Sequence, residues 1–384
     1  MPDRLKVLSL STYTMGHITH QNILEQTFRE QIPEVELVAL HLPNHFKQDL
    51  AGRILYRLMT PRVPLLERSD ADFYRLRNQL ALSLYARRCL DRALAVYSPD
   101  VLHIHTQSIA LLAESIMSRI PTVVSLDYTT ALLATEHPAP AGVTYRPIVG
   151  LERRCFQVAA HVVACSDRAR QSVLRDYGLA PDRVSTIHWS LPLERFNWPL
   201  RTAPIGPKPR LLFVGNDFVR KGGEDVLAVW LAHLAERSEL DIVSNSPIPL
   251  PDRPDLRHHQ GIGPLSPELL QLYQQADIFV MPTYEEVYGM VFIEATAAGL
   301  PCVGTTVMAV PELVQSGRNG FTIAPGDRQT LTQVLRQLID QPELRHTMGL
   351  AGRAIAQEKF NAIHNFRRLA DLFAQIRQER QIHG

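Results

Sequence analysis

The stretch "DIFVMPTYEEVYGMVFIEATAAGLPCVGT", residues 277–305, decides the fold class. "DIFVMP" is a short apolar run that reads as a buried strand, and "TYEEVYG" after it is a polar loop. Met290 to Ala298 then reads as a helix stopped by Gly299, with Pro301 just beyond and a second strand at "PCVGT". Strand, helix and strand in that order mark an α/β fold with a parallel sheet. The same stretch holds Glu286 in the loop and Glu294 inside the apolar helix, eight positions apart. Glutamate is rarely buried without a partner, so each is a candidate binding group. A carboxylate accepts two hydroxyl hydrogen bonds at once, which suits the vicinal diols of a sugar or ribose. The plain alternative is a solvated loop residue at Glu286 and a local cap or ion pair at Glu294.

Similar runs lie on both sides. Before the stretch, "KVLSLS" (6–11), "VELVALHL" (35–42), "DVLHIHT" (100–106), "TVVSLD" (122–127), "HVVACS" (161–166) and "VSTIHW" (184–189) read as strands, with helices between them, for example 108–118 and 167–177. Near-continuous apolar runs of this kind suit strands covered on both faces. The segment 199–209, "PLRTAPIGPKP", holds four prolines and no apolar periodicity, and is the best linker candidate. Beyond it the pattern restarts with "RLLFVG" (210–215), "LDIVSN" (240–245) and "GFTIAP" (320–325). Asp327 is placed to cap a helix whose apolar positions are Leu331, Val334, Leu335, Leu338 and Ile339. The tail is amphipathic, with Ile363, Phe366, Ala370 and Phe373 on one face. This divides the chain into a domain over 1–200, a second over 207–360 and a helix over 361–384.

Composition bounds the function classes. A chain of 384 residues with 45% hydrophobic and 21% charged residues is ordinary for a globular protein of two domains. A net charge of +1 gives no global case for nucleic-acid binding. The four cysteines include no CxxC pair, which argues for a reducing compartment and against a disulfide framework or zinc site. The apolar run near the N-terminus is short for a secretion signal, and no stretch approaches the roughly 18 apolar residues that span a bilayer. The expected location is cytoplasmic, with a peripheral position on the inner face of a membrane left open.

Two further segments carry chemistry. In "LLFVGNDFVRKGGEDVLAVW" (211–230) a strand ends at Gly215, and Arg220-Lys221-Gly222-Gly223 precede a helix. Two cations beside glycines and a helix start suit a diphosphate, although ordinary surface cations on a solvated loop are the alternative. GxxxxGK[ST] is absent, so this is not a P-loop. In "STYTMGHITHQNIL" (11–24), Gly16 allows close backbone approach to a ligand after the first strand. The GxGxxG fingerprint is missing throughout, which makes a dinucleotide oxidoreductase a minor option.

Glu286-Val287-Tyr288-Gly289-Met290-Val291-Phe292-Ile293-Glu294, followed in order by "GLPCVGT", "VPELVQSGRNGFTIAPGD" and "PELRHTMGLAGR", resembles the retaining glycosyltransferases of family 4. The resemblance is strongest over 210–350 and readable over 98–200. It implies the GT-B fold: two Rossmann-like domains facing each other across a cleft, with a C-terminal helix crossing back to the first. It further implies that Glu294 holds the ribose of a nucleotide-sugar donor and that Glu286 binds the donor sugar. Backbone N–H groups from Gly289 through Met290 to Val291, beside Tyr288, would help at the sugar or phosphate. Arg220 and Lys221 would stabilise the departing diphosphate, with Gly215 behind them and Gly16 in the first domain's loop. The implied activity is metal-independent transfer of a hexose from a UDP- or GDP-sugar to a saccharide or glycolipid, with no cofactor. A non-catalytic sugar-nucleotide scaffold and a sugar-nucleotide 2-epimerase are the alternatives.

The sequence departs from the family pattern in four places. Asp127 stands where a histidine near the donor sugar is usual, and it is a candidate catalytic residue because its carboxylate suits sugar hydroxyls or positive charge at the anomeric carbon. Trp189-Ser190 replaces Asn-Gly, Met308-Ala309 replaces a glycine pair, and Asn216 replaces an arginine that Arg220 would supply. Asp70 and Asp72 form a DxD, and His103 and His105 share a strand face; both are weak metal candidates. Residues 53–92 hold nine arginines, Arg53, Arg57, Arg62, Arg68, Arg75, Arg77, Arg87, Arg88 and Arg92, against four acids. They form either a solvated helical insertion or a surface that attracts anionic lipid.

Overall fold

The structure is a computed structural model describing residues 4–12, 15–42, 50–59, 61, 73–136 and 144–383. The chain forms two compact units, one of residues 1–189 with 362–384 and one of 190–361. Asp70 and Asp72, Arg62 and Arg68 lie outside the described residues.

The first unit is built on a six-stranded parallel sheet in the order β2-β1-β3-β4-β5-β6. Its strands are β1 (Leu5–Thr12), β2 (Val35–Leu42), β3 (Val101–His105), β4 (Thr122–Leu126), β5 (His161–Ala164) and β6 (Val184–Thr186). Every residue of β3 and β4 is buried, as expected for strands with helices on both faces. The second sheet is also parallel and runs β12-β11-β10-β7-β8-β9. Its strands are β7 (Arg210–Val214), β8 (Glu239–Val243), β9 (Leu256–His259), β10 (Ile278–Val280), β11 (Cys302–Thr305) and β12 (Gly320–Ile323). Its strand order reverses between β7 and β10; in the first sheet the reversal lies between β1 and β3. Open sheets of this kind bind ligands at the carboxyl ends of the strands flanking such a reversal.

Several helices begin and end where their residues require. Ser166 accepts a hydrogen bond from the Ala169 N–H at 3.1 Å, and Gly178 at φ +70° ends that helix (Asp167–Tyr177). Asp327 caps the helix Arg328–Asp340 through the Thr330 N–H at 2.9 Å.

The structure corrects the sequence reading in several places. The helix expected over 108–118 is one turn of 3₁₀ helix at Gln107–Ile109 and a short helix at Glu114–Met117. The Ser83 hydroxyl donates to the Ile109 carbonyl and accepts from the Leu112 N–H, so the helix Tyr74–Leu94 partners backbone that a longer helix would have satisfied internally. The strand β9 escaped detection because "LRHH" is polar; Leu256 is buried and its other three residues are half-buried on a sheet edge. Ile363 is 40% exposed, and Leu369 and Ile376 join Phe366 and Phe373 on the buried side of the last helix. The division between units falls at 189/190, ahead of the proline-rich 199–209 segment. That segment belongs to the second unit: Arg201 donates to the Ala276 carbonyl at 2.5 Å, and Leu200 packs beside Gly299.

The last helix, Ala362–His383, belongs to the first unit. Phe366 and Phe373 lie 6.2 and 6.3 Å from the Phe28 ring, and Arg367 pairs with Glu34 at 3.0 Å.

Candidate active site

In the second unit, the loops after β7 and β10 are pressed together at the strand-order reversal. The Arg220 carbonyl accepts from the Tyr284 N–H at 2.9 Å and from the Thr283 hydroxyl at 3.3 Å. Gly222 makes the approach possible: its φ is +76°, and a Cβ there would sit 2.2 Å from the Pro282 carbonyl oxygen.

These loops bring together residues 65 positions apart. Lys221 Nζ lies 2.6 Å from Glu286 Oε2 and donates to the Glu285 carbonyl at 3.4 Å. Both side chains of the pair are largely buried, at 14% and 15% exposure. Arg220 stays outward, bound to Asp217 at 2.8 Å and to the Glu285 carbonyl at 3.1 Å. Gly215 ends the strand behind them, and a Cβ there would lie 3.1 Å from the Lys221 side chain. The cations and Glu286 therefore share one rim.

Gly289, at φ +95°, turns the chain into the helix Met290–Ala298. A Cβ there would meet Phe292 at 2.8 Å and Glu286 Cγ at 3.2 Å, so glycine leaves room for the Glu286 side chain. Tyr288 and Met290 are buried and Val291 half-buried, at the helix start where backbone N–H groups have no intrahelical acceptor. That end carries the positive pole of the helix and suits an anion or hydroxyls. Glu294 follows just over one turn later, 2% exposed, and accepts from the Tyr273 hydroxyl at 2.9 Å.

Burial pushes the Glu294 carboxyl from 4.5 up to about 7, against the opposing pull of the Tyr273 hydrogen bond. Between those values the folded chain holds the proton that the unfolded chain has released. The group's stabilising effect is therefore complete below 4.5 and lost as pH rises towards 7. Glu294→Gln removes this titration. From about pH 5 to pH 8 the wild type should lose roughly 3 kcal/mol relative to the variant. Urea unfolding of both chains across that range checks this, and a pH-independent difference would rule it out.

In the first unit, Asp127 follows β4, 6% exposed, with one oxygen accepting from the Tyr128 N–H at 3.1 Å. The other lies 3.2 Å from His17 Nε2. Gly16 is next to that histidine, half-buried in the first turn of the helix Met15–Gln31. The His17 ring packs edge-on against Trp189 at 5.0 Å and His105 at 5.2 Å, while His20 stacks on both at 5.1 and 5.0 Å. Two departures from the family pattern, Asp127 and Trp189, thus meet on one imidazole. Sequence reading missed His17. Its signal was the spacing of His17 and His20, which places both on one face of the helix.

His103 sits deeper, its two nitrogens bound to the Ser9 and Ser125 hydroxyls at 3.0 and 2.8 Å. Both of its nitrogens are thus engaged by the core. At Met308 the backbone keeps φ +41°, a left-handed conformation that glycine adopts more cheaply. The loop at Asn216 binds its neighbours through backbone and side chain: its side-chain oxygen accepts from the Asn245 N–H at 3.2 Å, and its carbonyl from the Ser246 hydroxyl.

Comparison with known proteins agrees with this architecture. Residues 24–195 match the family model described as Glycosyltransferase Family 4, and residues 208–341 match Glycosyl transferases group 1. A D-inositol 3-phosphate glycosyltransferase of Streptomyces scabiei is 28% identical over 254 residues, 59% of this chain and 55% of that protein. A glycogen synthase of Mycobacterium tuberculosis is 26% identical over 271 residues, 67% of this chain and 64% of that one. The chain thus matches little more than half the length of the first of these relatives. Among solved structures, sucrose-phosphate synthase from Thermosynechococcus elongatus shares the fold with a TM-score of 0.72 at 17% identity, covering 97% of this chain and 99% of that one. Anabaena HepE does so at 0.67 and 15%, covering 97% and 100%. Two parallel α/β units, the paired glutamates in register and both family matches place the chain in glycosyltransferase family 4, with the GT-B fold.

Proposed function

We propose that the chain is a retaining, metal-independent hexosyltransferase, using a UDP- or GDP-sugar as donor and a saccharide or glycolipid as acceptor. The observation that carries this reading is the rim at the β7/β10 reversal. There Lys221 pairs with Glu286, and the loop that carries Glu286 leads through Gly289 into the helix Met290–Ala298 that carries the buried Glu294, groups that suit the diphosphate, the sugar on one side of it and the ribose on the other. Anabaena HepE, of the same fold, has been solved with UDP-glucose, which supports a donor of this class.

In this reading Glu294 accepts the ribose hydroxyls, Glu286 those of the sugar, and the amides from Gly289 to Val291 meet the sugar or phosphate. The bond from the anomeric carbon to the diphosphate oxygen breaks, and the acceptor oxygen bonds to that carbon on the same face. The acceptor's proton passes to the leaving phosphate. Negative charge grows on the diphosphate as this happens. Lys221 and Arg220 are fixed in place to stabilise it, which supplies the role a metal ion serves elsewhere. The ion pair with Glu286 holds Lys221 in position, its charge compensated, before the donor arrives.

A thermal-shift panel of UDP, GDP, ADP and their sugar conjugates tests the binding step. One nucleotide series should raise the melting temperature, since preferential binding to the native state stabilises it. Glu294→Ala should abolish the shift. No response to any member of the panel would overturn the reading.

A further inference from the structure

The helix Leu50–Met59, "LAGRILYRLM", has apolar side chains on both its faces. Gly52 is buried, and Leu55 and Met59 pack against the core of the first unit. Leu50, Ile54 and Leu58 recur every four residues on the outward side and are 67%, 50% and 71% exposed. Arg53 and Arg57, also exposed and four apart, border that stripe, and the helix contains no acidic residue.

Three other arginines of the basic segment, Arg75, Arg77 and Arg87, are used within the unit. Arg77 donates to the Met59 and Pro61 carbonyls at 2.9 Å each, tying down the end of this helix. Arg87 donates to the Leu112 carbonyl at 3.3 Å, and the Arg75 guanidinium lies over the Tyr145 ring at 5.1 Å. Among the described residues, Arg88 and Arg92 are also exposed, on the helix Tyr74–Leu94, but it is the Leu50–Met59 face that combines two cations with three exposed aliphatic side chains.

From this we infer that the Leu50–Met59 helix docks on an anionic bilayer surface, lying in its plane. Aliphatic side chains enter the boundary below the headgroups, while the adjacent guanidiniums reach lipid phosphates. Three large aliphatic groups in a row at such exposure need a covering surface, and the bordering arginines select an anionic one. A second copy of the chain suits the face poorly. A two-fold contact would gather four guanidiniums with no carboxylate from either helix. The inference is independent of the donor site, which lies in the other unit.

The test is flotation of the full chain with vesicles of phosphatidylcholine alone or with about 30% phosphatidylglycerol. The wild type should float with the anionic vesicles, and raising salt to about 0.5 M should weaken this. R53E/R57E should reduce binding at least about tenfold, and so should replacing Leu50, Ile54 and Leu58 with Gln. All five side chains point outward, so both variants should keep the wild-type melting temperature and its nucleotide response. Absent flotation, equal flotation in all three chains, or indifference to anionic lipid overturns the proposal. So does a wild-type dimer that does not float and becomes monomeric in the Gln variant, because the face is then a contact between copies. Loss of the nucleotide response in every chain with flotation intact would count against the donor-site reading instead.

Discussion

Lys221→Ala should lower the rate constant of sugar transfer by about 10²–10³-fold, the usual effect of deleting one fixed charge donor aimed at a leaving group. Lys221 is suited to that role because little of it is free to move. Its ammonium is held by Glu286 at 2.6 Å and by the Glu285 carbonyl at 3.4 Å. Gly215 leaves room for its stem. The loss should fall mainly on kcat, since charge on the diphosphate is largest in the transition state. Glu294→Ala should act differently, weakening nucleotide binding and so raising KM. Removing Lys221 also leaves Glu286 partly buried without its cation, which destabilises the loop. Lys221→Gln separates the two effects: it keeps a hydrogen-bond donor for Glu286 and should recover stability without recovering rate. Unchanged transfer in both alanine variants would sink the site assignment.

The second large effect concerns acid. Burial holds His20 down at about 3, aided by His17 and His103, and holds His103 at about 4; His105 is likewise pushed well below its usual value, chiefly by burial. For a histidine kept neutral, the stabilising contribution is complete above the unfolded value near 6.5 and is lost as pH falls towards the folded value. Between about pH 6.5 and 4.5 His20 and His103 together should remove on the order of 4 kcal/mol, a large part of the stability of a typical domain, and His105 acts in the same direction. The first unit should therefore unfold in mild acid. In the second unit Glu294 acts in the opposite direction, gaining stability over part of the same range. Near-ultraviolet circular dichroism during acid titration should show two transitions, the earlier one reporting Trp189 against His20. His105→Phe removes one titrating ring whose nitrogens have no protein hydrogen-bond partner, so its acid midpoint should shift to lower pH. An unchanged midpoint would exclude the histidine cluster as the cause.

How far these features were legible in the sequence depended on how local their causes are. The helix Met290–Ala298, its stop at Gly299 and the cap at Asp327 follow from neighbouring residues and were readable to the residue. Lys221 and Glu286 were each nameable, but their contact joins two loops through the sheet order and through Gly222. The tyrosine that partners Glu294 was hidden for a similar reason: Tyr273 comes from a separate helix, Pro267–Gln275. The false helix at 108–118 shows the converse failure. Its apolar residues are buried as expected, but Ser83 supplies the hydrogen bonds that a longer helix would have made internally. His17 was the costliest omission, because the aspartate that gives it meaning lies 110 positions away on another strand's end.

The first unit is discontinuous: the chain leaves it after Trp189 and returns at Ala362. The ends of the intervening segment meet, with the Leu191 N–H donating to the Phe360 carbonyl at 2.8 Å. During translation, residues 190–361 emerge complete and can close on themselves while the earlier 189 residues still lack part of their core. Phe28 and His103 wait for Phe366 and Phe373 from the last helix. Domains usually finish in the order in which they are synthesised. Here the order is reversed: the unit begun first is finished last, and a nascent chain stalled before Ala362 should carry a folded insert within an unfinished host.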